Sequence, residues 1–371
     1  MKYPSINLIR KLLKASLPVV LSMLLFLSCM DDNHWSASEN YNEPEQGVFI
    51  VNEGNFMYDN ASLSYYSPNN LTVLNEVFKS ANGAPLGDVA QSMVIRDSLG
   101  YVVINNSGKV YIININTFEF VGKITGLTSP RHMHFISDSK AYISDIYGKS
   151  IAIVNPVAMS VTGQIDVDNH SGEFYQHSTE QMILHQKFMF VNCWSYDDKL
   201  LVIDTQTDQV VDSIEVGIQP RAMVMDRNDQ LWVITDGGFQ GNPFDHEAPA
   251  LVQIDADTRT IVQRILFDLA SSPADIAINT SGDTLYFVNG DVFRCSIDNP
   301  QSMEIFVETP YQGSYSRGFS ALGIDPHSNE IYVADAIDNS QRGSVYKYSP
   351  KGRATDTFKV GIIPTHFCFK R

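Results

Sequence analysis

Two histidines on one predicted strand are the first residues whose spacing suggests chemistry. His132 and His134 stand two positions apart in P-R-H-M-H-F, so on a strand their side chains would face the same side, as metal ligands do. No acidic or cysteine partner stands at ligand spacing, and the sequence has no H-E-x-x-H, G-x-S-x-G, P-loop or EF-hand motif. We therefore expect packed, hydrogen-bonded histidines, no metal or cofactor, and no catalytic set.

A polar residue that closes one strand in every repeat is the second candidate. Strands such as V-F-I-V-N at 48–52 and L-Y-F-V-N at 285–289 end in Asn, Asp or Thr. Such side chains hydrogen-bond the backbone at turns, so a structural role is expected in each copy. The seven marker positions are Asn52, Asn105, Asp145, Asn192, Thr235, Asn289 and Asp335.

Aromatic residues and arginines fill the loops around these marker strands. The aromatic residues are Phe56, Tyr58, Tyr147, Phe174, Tyr175, Trp194, Tyr196, Phe239, Phe244, Tyr311 and Tyr315. The arginines are Arg131, Arg221 and Arg317. Aromatic rings combined with amides and a few arginines suit a large, flat, partly polar ligand. The alternative is that part of this set anchors long loops.

The strands that must position these residues recur every 40 to 54 residues, judged by the marker positions. Each copy continues into further strands rich in β-branched and aromatic residues. Six copies are preceded by one more strand, and the copy that lacks it is the first. P-T-H-F-C-F at 364–369 supplies the missing strand from the other end of the chain. The pattern predicts an all-β, seven-bladed β-propeller whose C-terminal strand closes the first blade against 48–52.

The leading strands are predicted to surround the central axis. When they are aligned, one column is large and apolar, and the next column is mostly small. The large column is Met93, Met133, Met182, Met223, Ile276, Leu322 and Phe367; the small column is Val94, His134, Ile183, Val224, Ala277, Gly323 and Cys368.

In a propeller, the loops after the marker strands and those entering the leading strands share one face. The turns on the opposite face, such as R-D-S-L-G and T-S-G-D, are short and polar. An aromatic-rich face on a rigid scaffold is typical of a binding surface. We expect Trp194 and Tyr196 near the centre of the contact, with Tyr147, Phe174 and Tyr175 beside them.

The first residues predict export. A basic stretch precedes the apolar run Leu17 to Leu27, which is too short to span a bilayer and reads as a signal peptide over 1–28. The ending F-L-S-C resembles a bacterial lipobox, which predicts lipidation at Cys29 and a lipid anchor in the outer membrane. The acidic pair Asp31-Asp32 resembles a surface-export signal. Residues 29–46 are expected to form an acidic, polar tether to a propeller over 47–371.

Composition narrows the class of partner. The net charge is −16, from 26 basic and 42 acidic residues, which argues against nucleic acid. Beyond Cys29, three cysteines remain, Cys193, Cys295 and Cys368, and no C-x-x-C occurs. Neither a disulfide framework nor a zinc site is therefore predicted.

The repeat unit resembles the YncE-like, or YVTN-type, propeller family, with its best instance in K-L-L-V-I-D-T-Q-T-D-Q-V-V-D-S-I-E-V-G-I-Q-P-R at 199–221. The opening G-V-F-I-V-N-E-G-N-F at 47–56 is similar to a group of Bacteroidetes surface lipoproteins that includes the BtuG-type propellers. That resemblance implies capture of cobalamin or a related corrinoid and its delivery to a TonB-dependent outer-membrane transporter.

Three functions from different classes follow from these observations. The first is a ligand-capture lipoprotein for a corrinoid or similar bulky nutrient, which would not be an enzyme. The second is a glycan-binding or protein-binding module on the cell surface. The third is a lyase, for which His132 and Glu180 near the channel mouth would be the reacting pair.

Overall fold

The computed structural model describes residues 46–169, 177–242, 245–310 and 318–370. The predicted signal peptide, Cys29 and almost all of the predicted tether lie outside these ranges. Within them the strands form seven four-stranded antiparallel sheets, which confirms the predicted propeller. The sheets are numbered as blades 1 to 7 in the order of their marker strands.

Each blade has four strands, described here from the axis outward. The innermost strands of blades 1 to 7 are β28 (Pro364–Lys370), β4 (Ala90–Arg96), β8 (Pro130–Ser137), β12 (Thr179–His185), β16 (Pro220–Met225), β20 (Asp275–Ile278) and β24 (Phe319–Ile324). The second, marker strands are β1 (Gly47–Asn52), β5 (Leu99–Ile104), β9 (Lys140–Asp145), β13 (Phe188–Cys193), β17 (Gln230–Thr235), β21 (Thr284–Asn289) and β25 (Ile331–Asp335).

The two outer strands complete each blade in the same order. The third strands are β2 (Ser62–Ser67), β6 (Lys109–Asn114), β10 (Ser150–Asn155), β14 (Lys199–Asp204), β18 (Ala250–Asp255), β22 (Asp291–Ser296) and β26 (Arg342–Tyr348). The outermost strands are β3 (Thr72–Leu74), β7 (Phe120–Thr125), β11 (Ser160–Asp166), β15 (Gln209–Glu215), β19 (Thr260–Leu266), β23 (Asn299–Val307) and β27 (Ala354–Ile362).

The C-terminal strand closes blade 1 as predicted. β28 pairs antiparallel with β1, so that Val48 lies opposite Phe369 and Ile50 lies opposite Phe367. The pairing joins the two ends of the described chain in one sheet. No sheet edge is therefore left open at the axis of blade 1.

Inter-blade packing follows the predicted alternation of large and small residues. Each innermost strand contacts the innermost strands of both neighbouring blades. Met133 of blade 3 packs into one buried cluster with Val94 of blade 2, and Ile276 of blade 6 packs into another with Val224 of blade 5. At the interface of blades 7 and 1, Gly323 leaves room for Phe367. The small column of each blade thus receives the large side chain of the next, which fills the space between tapering blades.

The seven marker residues all make structural hydrogen bonds, but not all in their own turns. Asp145 and Asp335 accept bonds from the backbone N–H groups two residues later, at 3.0 and 2.7 Å. Asn105 and Asn192 instead donate to the carbonyls of Pro130 and Pro220, which begin the innermost strands of the next blades. The marker therefore links neighbouring blades as well as closing a strand.

One short helix occurs in the described residues, and the sequence pattern did not predict it. α1 (Val77–Asn82) follows β3 and buries Val77 and Phe78 against blade 1. None of the described residues belongs to a helix with the length and apolarity needed to cross a bilayer.

Candidate functional site

One residue of each blade, at or just before the start of its innermost strand, lies at the mouth of the central channel. The register of the innermost and marker strands shifts at this point in six blades, for example between Pro220 and Ala222. A bulged residue leaves the ladder, and its side chain can be aimed away from the sheet face. The residues at this position, called the rim ring below, are Gln91, Arg131, Glu180, Arg221, Ala274, Ser320 and Thr365.

The rim ring surrounds a cavity of about 350 Å³ on the axis, called the axial cavity below. The residues that follow the rim ring, including His132, Gln181, Asp275 and His366, line its deeper wall. Glu53 and Tyr147, which follow marker strands, line it from the loops. Its opening lies on the face that carries the aromatic-rich loops, called the loop face below.

A buried ion pair forms one wall of the axial cavity. Arg131 Nε lies 2.7 and 2.8 Å from the two carboxylate oxygens of Glu180, and both side chains are largely buried. His132 Nε2 lies 3.8 Å from the same carboxylate. Burial, with the nearby charges of His366 and Arg131, holds the pKa of His132 well below its usual value. His132 is therefore a neutral imidazole at physiological pH.

A second imidazole and two carboxyl groups with raised pKa values also line the axial cavity. His366 donates from Nε2 to the Met93 carbonyl at 3.1 Å, and burial lowers its pKa. Burial raises the pKa of Asp275 to about 6, although the Leu322 and Ile276 N–H groups and Arg221 oppose the shift. Burial also raises the pKa of Glu53, with Arg131 and Arg221 opposing and Glu180 adding to it. Polar and titratable side chains therefore line most of the axial cavity.

A second cavity of about 480 Å³ lies on the loop face over blades 4 to 6, and it is called the loop cleft below. Tyr196 and Phe239 line it with their ring centroids 6.4 Å apart. His246 and the segment 269–272 form the remaining wall. Trp194 lines both the loop cleft and the axial cavity, so the two depressions meet at its side chain.

Two contacts fix the Trp194 side chain at this junction. Its Nε1 donates to Asp236 Oδ2 at 2.9 Å, and the guanidinium of Arg221 lies over the indole at 5.2 Å from the ring centroid. Arg221 also donates from Nε to the Ala274 carbonyl at 2.8 Å and approaches Asp236 at 3.6 Å. Burial raises the pKa of Asp236, which the Trp194, Gly238 and Arg221 donors oppose. The indole is thus held in one orientation and keeps part of its surface in the cavities.

The structure brings together six of the residues predicted to bind ligand. They are Arg131, Tyr147, Trp194, Tyr196, Arg221 and Phe239. Phe56 lies on the loop face but lines neither cavity, and its side chain is 64% exposed. The predicted residues Phe174, Tyr175, Phe244, Tyr311, Tyr315 and Arg317 lie outside the described residues.

The sequence analysis missed Glu53, Asp236, Asp275 and His366. The signal that would have found most of the axial cavity was already present in the strand alignment. The rim ring stands two positions before the large apolar column in every blade, and Asp275 and His366 stand one position before it. His134 has the expected hydrogen bond, to the backbone of Met182, and burial lowers its pKa.

One group of three potential metal ligands occurs among the described residues. His177, Cys193 and Asp197 bring their ligand atoms within 4.8 Å of one another below the Trp194 loop. The sequence predicts no zinc site, and these three residues form no recognisable zinc motif. They come from a strand entry, a strand end and a loop, and only the fold brings them together.

Comparison with solved structures finds the same fold at low sequence identity. A quinoprotein alcohol dehydrogenase-like protein of Bacteroides thetaiotaomicron has a TM-score of 0.69 at 13% identity, covering 90% of this chain and 80% of that one. The periplasmic gluconolactonase of Pseudomonas aeruginosa has a TM-score of 0.63 at 12% identity, covering 87% and 99%. Hydrazine synthase of Kuenenia stuttgartiensis has a TM-score of 0.62 at 13% identity, covering 75% and 89%. At these identities the likeness establishes the propeller fold alone.

Sequence comparison assigns the family. No curated protein matches this chain. The model of a domain of unknown function, DUF5074, matches residues 46–360, which is nearly the whole propeller. The chain is therefore a member of the DUF5074 family.

Proposed function

We propose that this protein is a surface-exposed lipoprotein of the outer membrane that captures a bulky nutrient on its loop face. Cobalamin or a related corrinoid is the proposed ligand, and a TonB-dependent outer-membrane transporter is the proposed recipient. The observation that carries the proposal is the junction of two cavities at Trp194. Each cavity has the size of a small-molecule site, about 300–1,000 Å³, and their junction suits a ligand larger than either.

The side chains around the junction match the chemistry of a corrinoid. Such a molecule is a broad macrocycle bordered by amide groups, and cobalamin also carries a phosphodiester. Trp194, Tyr196 and Phe239 offer aromatic surface to the macrocycle. Gln219 and Gln240 line the loop cleft as partners for amides. Arg221, whose side chain is 38% exposed, is the cation placed to meet an anionic group.

The membrane part of the proposal rests on the N-terminal sequence. The basic stretch, the apolar run and Ser28-Cys29 support export and acylation at Cys29, and Asp31-Asp32 supports surface exposure. The resemblance of 47–56 to Bacteroidetes surface lipoproteins supports a transporter as partner. Mass spectrometry of the native N-terminus tests the anchor.

The contacts in the axial cavity favour binding over lyase catalysis. A lyase would need a free base there, and Glu180 with His132 is the pair in that position. Both oxygens of Glu180 lie within 2.8 Å of Arg131 Nε. The guanidinium of Arg131 therefore already occupies both oxygens of this carboxylate. Glu180 is therefore better suited to holding Arg131 than to accepting a substrate proton.

Substitution of Trp194 tests the site. Truncation of a central aromatic anchor typically costs about 2 kcal/mol or more, which is roughly a thirtyfold loss of affinity. We expect Trp194→Ala to weaken cobalamin binding by at least that factor in calorimetric titration. Trp194→Phe should retain part of the affinity, because it keeps an aromatic ring but loses the donor to Asp236.

Phe56→Ala is the matched control, because Phe56 is an exposed aromatic of the same face that lines neither cavity. Its affinity should equal that of the wild type. Equal affinity in Trp194→Ala would place the site elsewhere. A wild type that does not bind cobalamin would reject the corrinoid, and titration with oligosaccharides would then test the glycan alternative.

A further inference from the structure

Three chemically different ligand groups converge below the Trp194 loop. His177 lies just before β12, Cys193 ends β13, and Asp197 lies in the loop that joins β13 to β14. His177 Nδ1 is 2.7 Å from Asp197 Oδ2, and the Cys193 sulfur completes a set whose atoms lie within 4.8 Å of one another. None of these three residues lines either cavity.

The separations are close to those of a tetrahedral metal site. Zinc bonds of about 2.0–2.3 Å place nitrogen and oxygen ligands about 3.3 Å apart, and sulfur about 3.6 Å from either. The observed atoms reach these distances if each moves by about an ångström or less. Because Asp197 lies in a loop and His177 precedes a strand, both can make that adjustment.

The surroundings of the thiol favour a cation. Cys193 is fully buried, and a carboxylate oxygen of Asp197 and a ring nitrogen of His177 lie within 4.8 Å of its sulfur. The negative charge of that carboxylate favours a cation between the three atoms. His177 and Asp197 are 20% and 10% exposed, so a cation has access from their side.

We propose that His177 Nδ1, Cys193 Sγ and the Asp197 carboxylate bind one Zn²⁺ ion, which clips the Trp194 loop to the start of β12. Nitrogen, sulfur and oxygen ligands in one set are the combination that zinc accepts. On binding, the Cys193 thiol releases its proton to solvent, and the proton of the His177 ring resides on Nε2. Water takes the fourth position.

The clip has a mechanical role in the loop that presents Trp194 and Tyr196. Besides the His177–Asp197 contact, two hydrogen bonds connect this loop to the strand entry, from Trp194 N to the Ser178 carbonyl at 3.0 Å and from Ser178 Oγ to the Ser195 carbonyl at 2.6 Å. The metal adds links on both sides of Trp194, since Cys193 precedes it and Asp197 follows it. The loop is therefore held by its two ends.

Cobalt substitution of the full chain tests the site without any organic ligand. Metal-free protein titrated with Co²⁺ should give a thiolate-to-cobalt charge-transfer band and tetrahedral visible bands that saturate at about one equivalent. Zn²⁺ should displace the cobalt and abolish both features. Zn²⁺ should also raise the thermal midpoint of the apo protein, because it binds the folded state.

Variants assign the ligands. Cys193→Ser should abolish the charge-transfer band, while Cys295→Ser, which alters another buried cysteine, should leave it intact. His177→Ala and Asp197→Asn should each weaken Co²⁺ binding at least tenfold, and circular dichroism confirms that each variant is folded. Absence of a saturable cobalt spectrum, or its persistence in folded Cys193→Ser, overturns the proposal. Neither result bears on corrinoid binding, which is measured separately.

Discussion

At the scale of single residues, the rim ring concentrates its charge in three consecutive blades. Arg131, Glu180 and Arg221 alternate in sign, and the ion pair of the first two leaves the third as the cation that faces the cavities. Arg221 is held by the Ala274 carbonyl and by the face of Trp194. The loop face therefore presents one cation and one indole as a unit.

Asp275, which lines the axial cavity, makes the free energy of unfolding of the protein depend on pH. Its folded pKa is raised to about 6, while an unfolded aspartate titrates near pH 3.9. The folded state keeps the proton longer, so this group favours folding below about pH 4, and its contribution is lost as pH rises through about 6. In urea unfolding at a series of pH values, the free energy of the wild type minus that of Asp275→Asn should fall over this interval.

Asp268→Asn is the control, because Asp268 is an exposed carboxyl group. The free energy of the wild type minus that of Asp268→Asn should not fall over this interval. A difference between wild type and Asp275→Asn that stays constant from pH 4 to 7 would contradict the prediction. Spectroscopic titration of the folded protein gives the same pKa independently.

At the scale of elements, the innermost strands of neighbouring blades pack a large side chain of one blade against a small residue of the other. Gly323 is the extreme case, because a Cβ atom there would lie 2.8 Å from Phe367 Cβ and 3.0 Å from its ring. We expect Gly323→Ala to lower the free energy of unfolding by about 1–3 kcal/mol, the usual cost of overpacking. Thermal and urea unfolding measure the change.

Two further variants separate overpacking from a general effect of the substitution. Gly163→Ala on β11 places its Cβ at an ordinary contact distance of 3.4 Å from Ile153 and should be close to neutral. Adding Phe367→Leu to Gly323→Ala should recover part of the lost stability, because the smaller side chain makes room. A neutral Gly323→Ala would contradict the packing argument.

The repeats predicted nearly all elements, and much less of the site. Periodic strands follow from local patterns, so the marker strands agree with the structure within about two residues. The sequence did not predict α1, because six residues are too few for a helical period to be recognised. Glu53 of the axial cavity and Asp236 of the loop cleft were not predicted, because each is an isolated acidic residue after a strand. Only the folded ring places them in a cavity. The loop aromatics were found by composition, but the junction at Trp194 needed coordinates.

At the scale of the whole molecule, stability depends on closing the ring through β28. Phe367 and Cys368 belong to two different inter-blade clusters, so this strand supports both sides of blade 1. Deletion of residues 364–371 removes these contacts and leaves β1 as an unpaired edge. Loss of a buried phenylalanine side chain alone costs about 3–5 kcal/mol, and exposed edges promote aggregation.

We therefore expect the truncated protein to unfold at a much lower temperature and to associate in size-exclusion chromatography. Deletion of Arg371 alone is the control, because the strand ends at Lys370. A truncated protein that stays monomeric with an unchanged thermal midpoint would mean that the ring does not need this strand.

The direction of β1 also determines on which face of the propeller the described chain begins and ends. β1 begins at Gly47, opposite Lys370, and runs toward Asn52 and the loop face. Both ends of the described chain therefore leave the propeller on the face opposite the two cavities. A segment attached before residue 46 therefore joins the propeller on the side away from Trp194. The separation between this point of attachment and the two cavities is thus set by the polarity of β1 and β28.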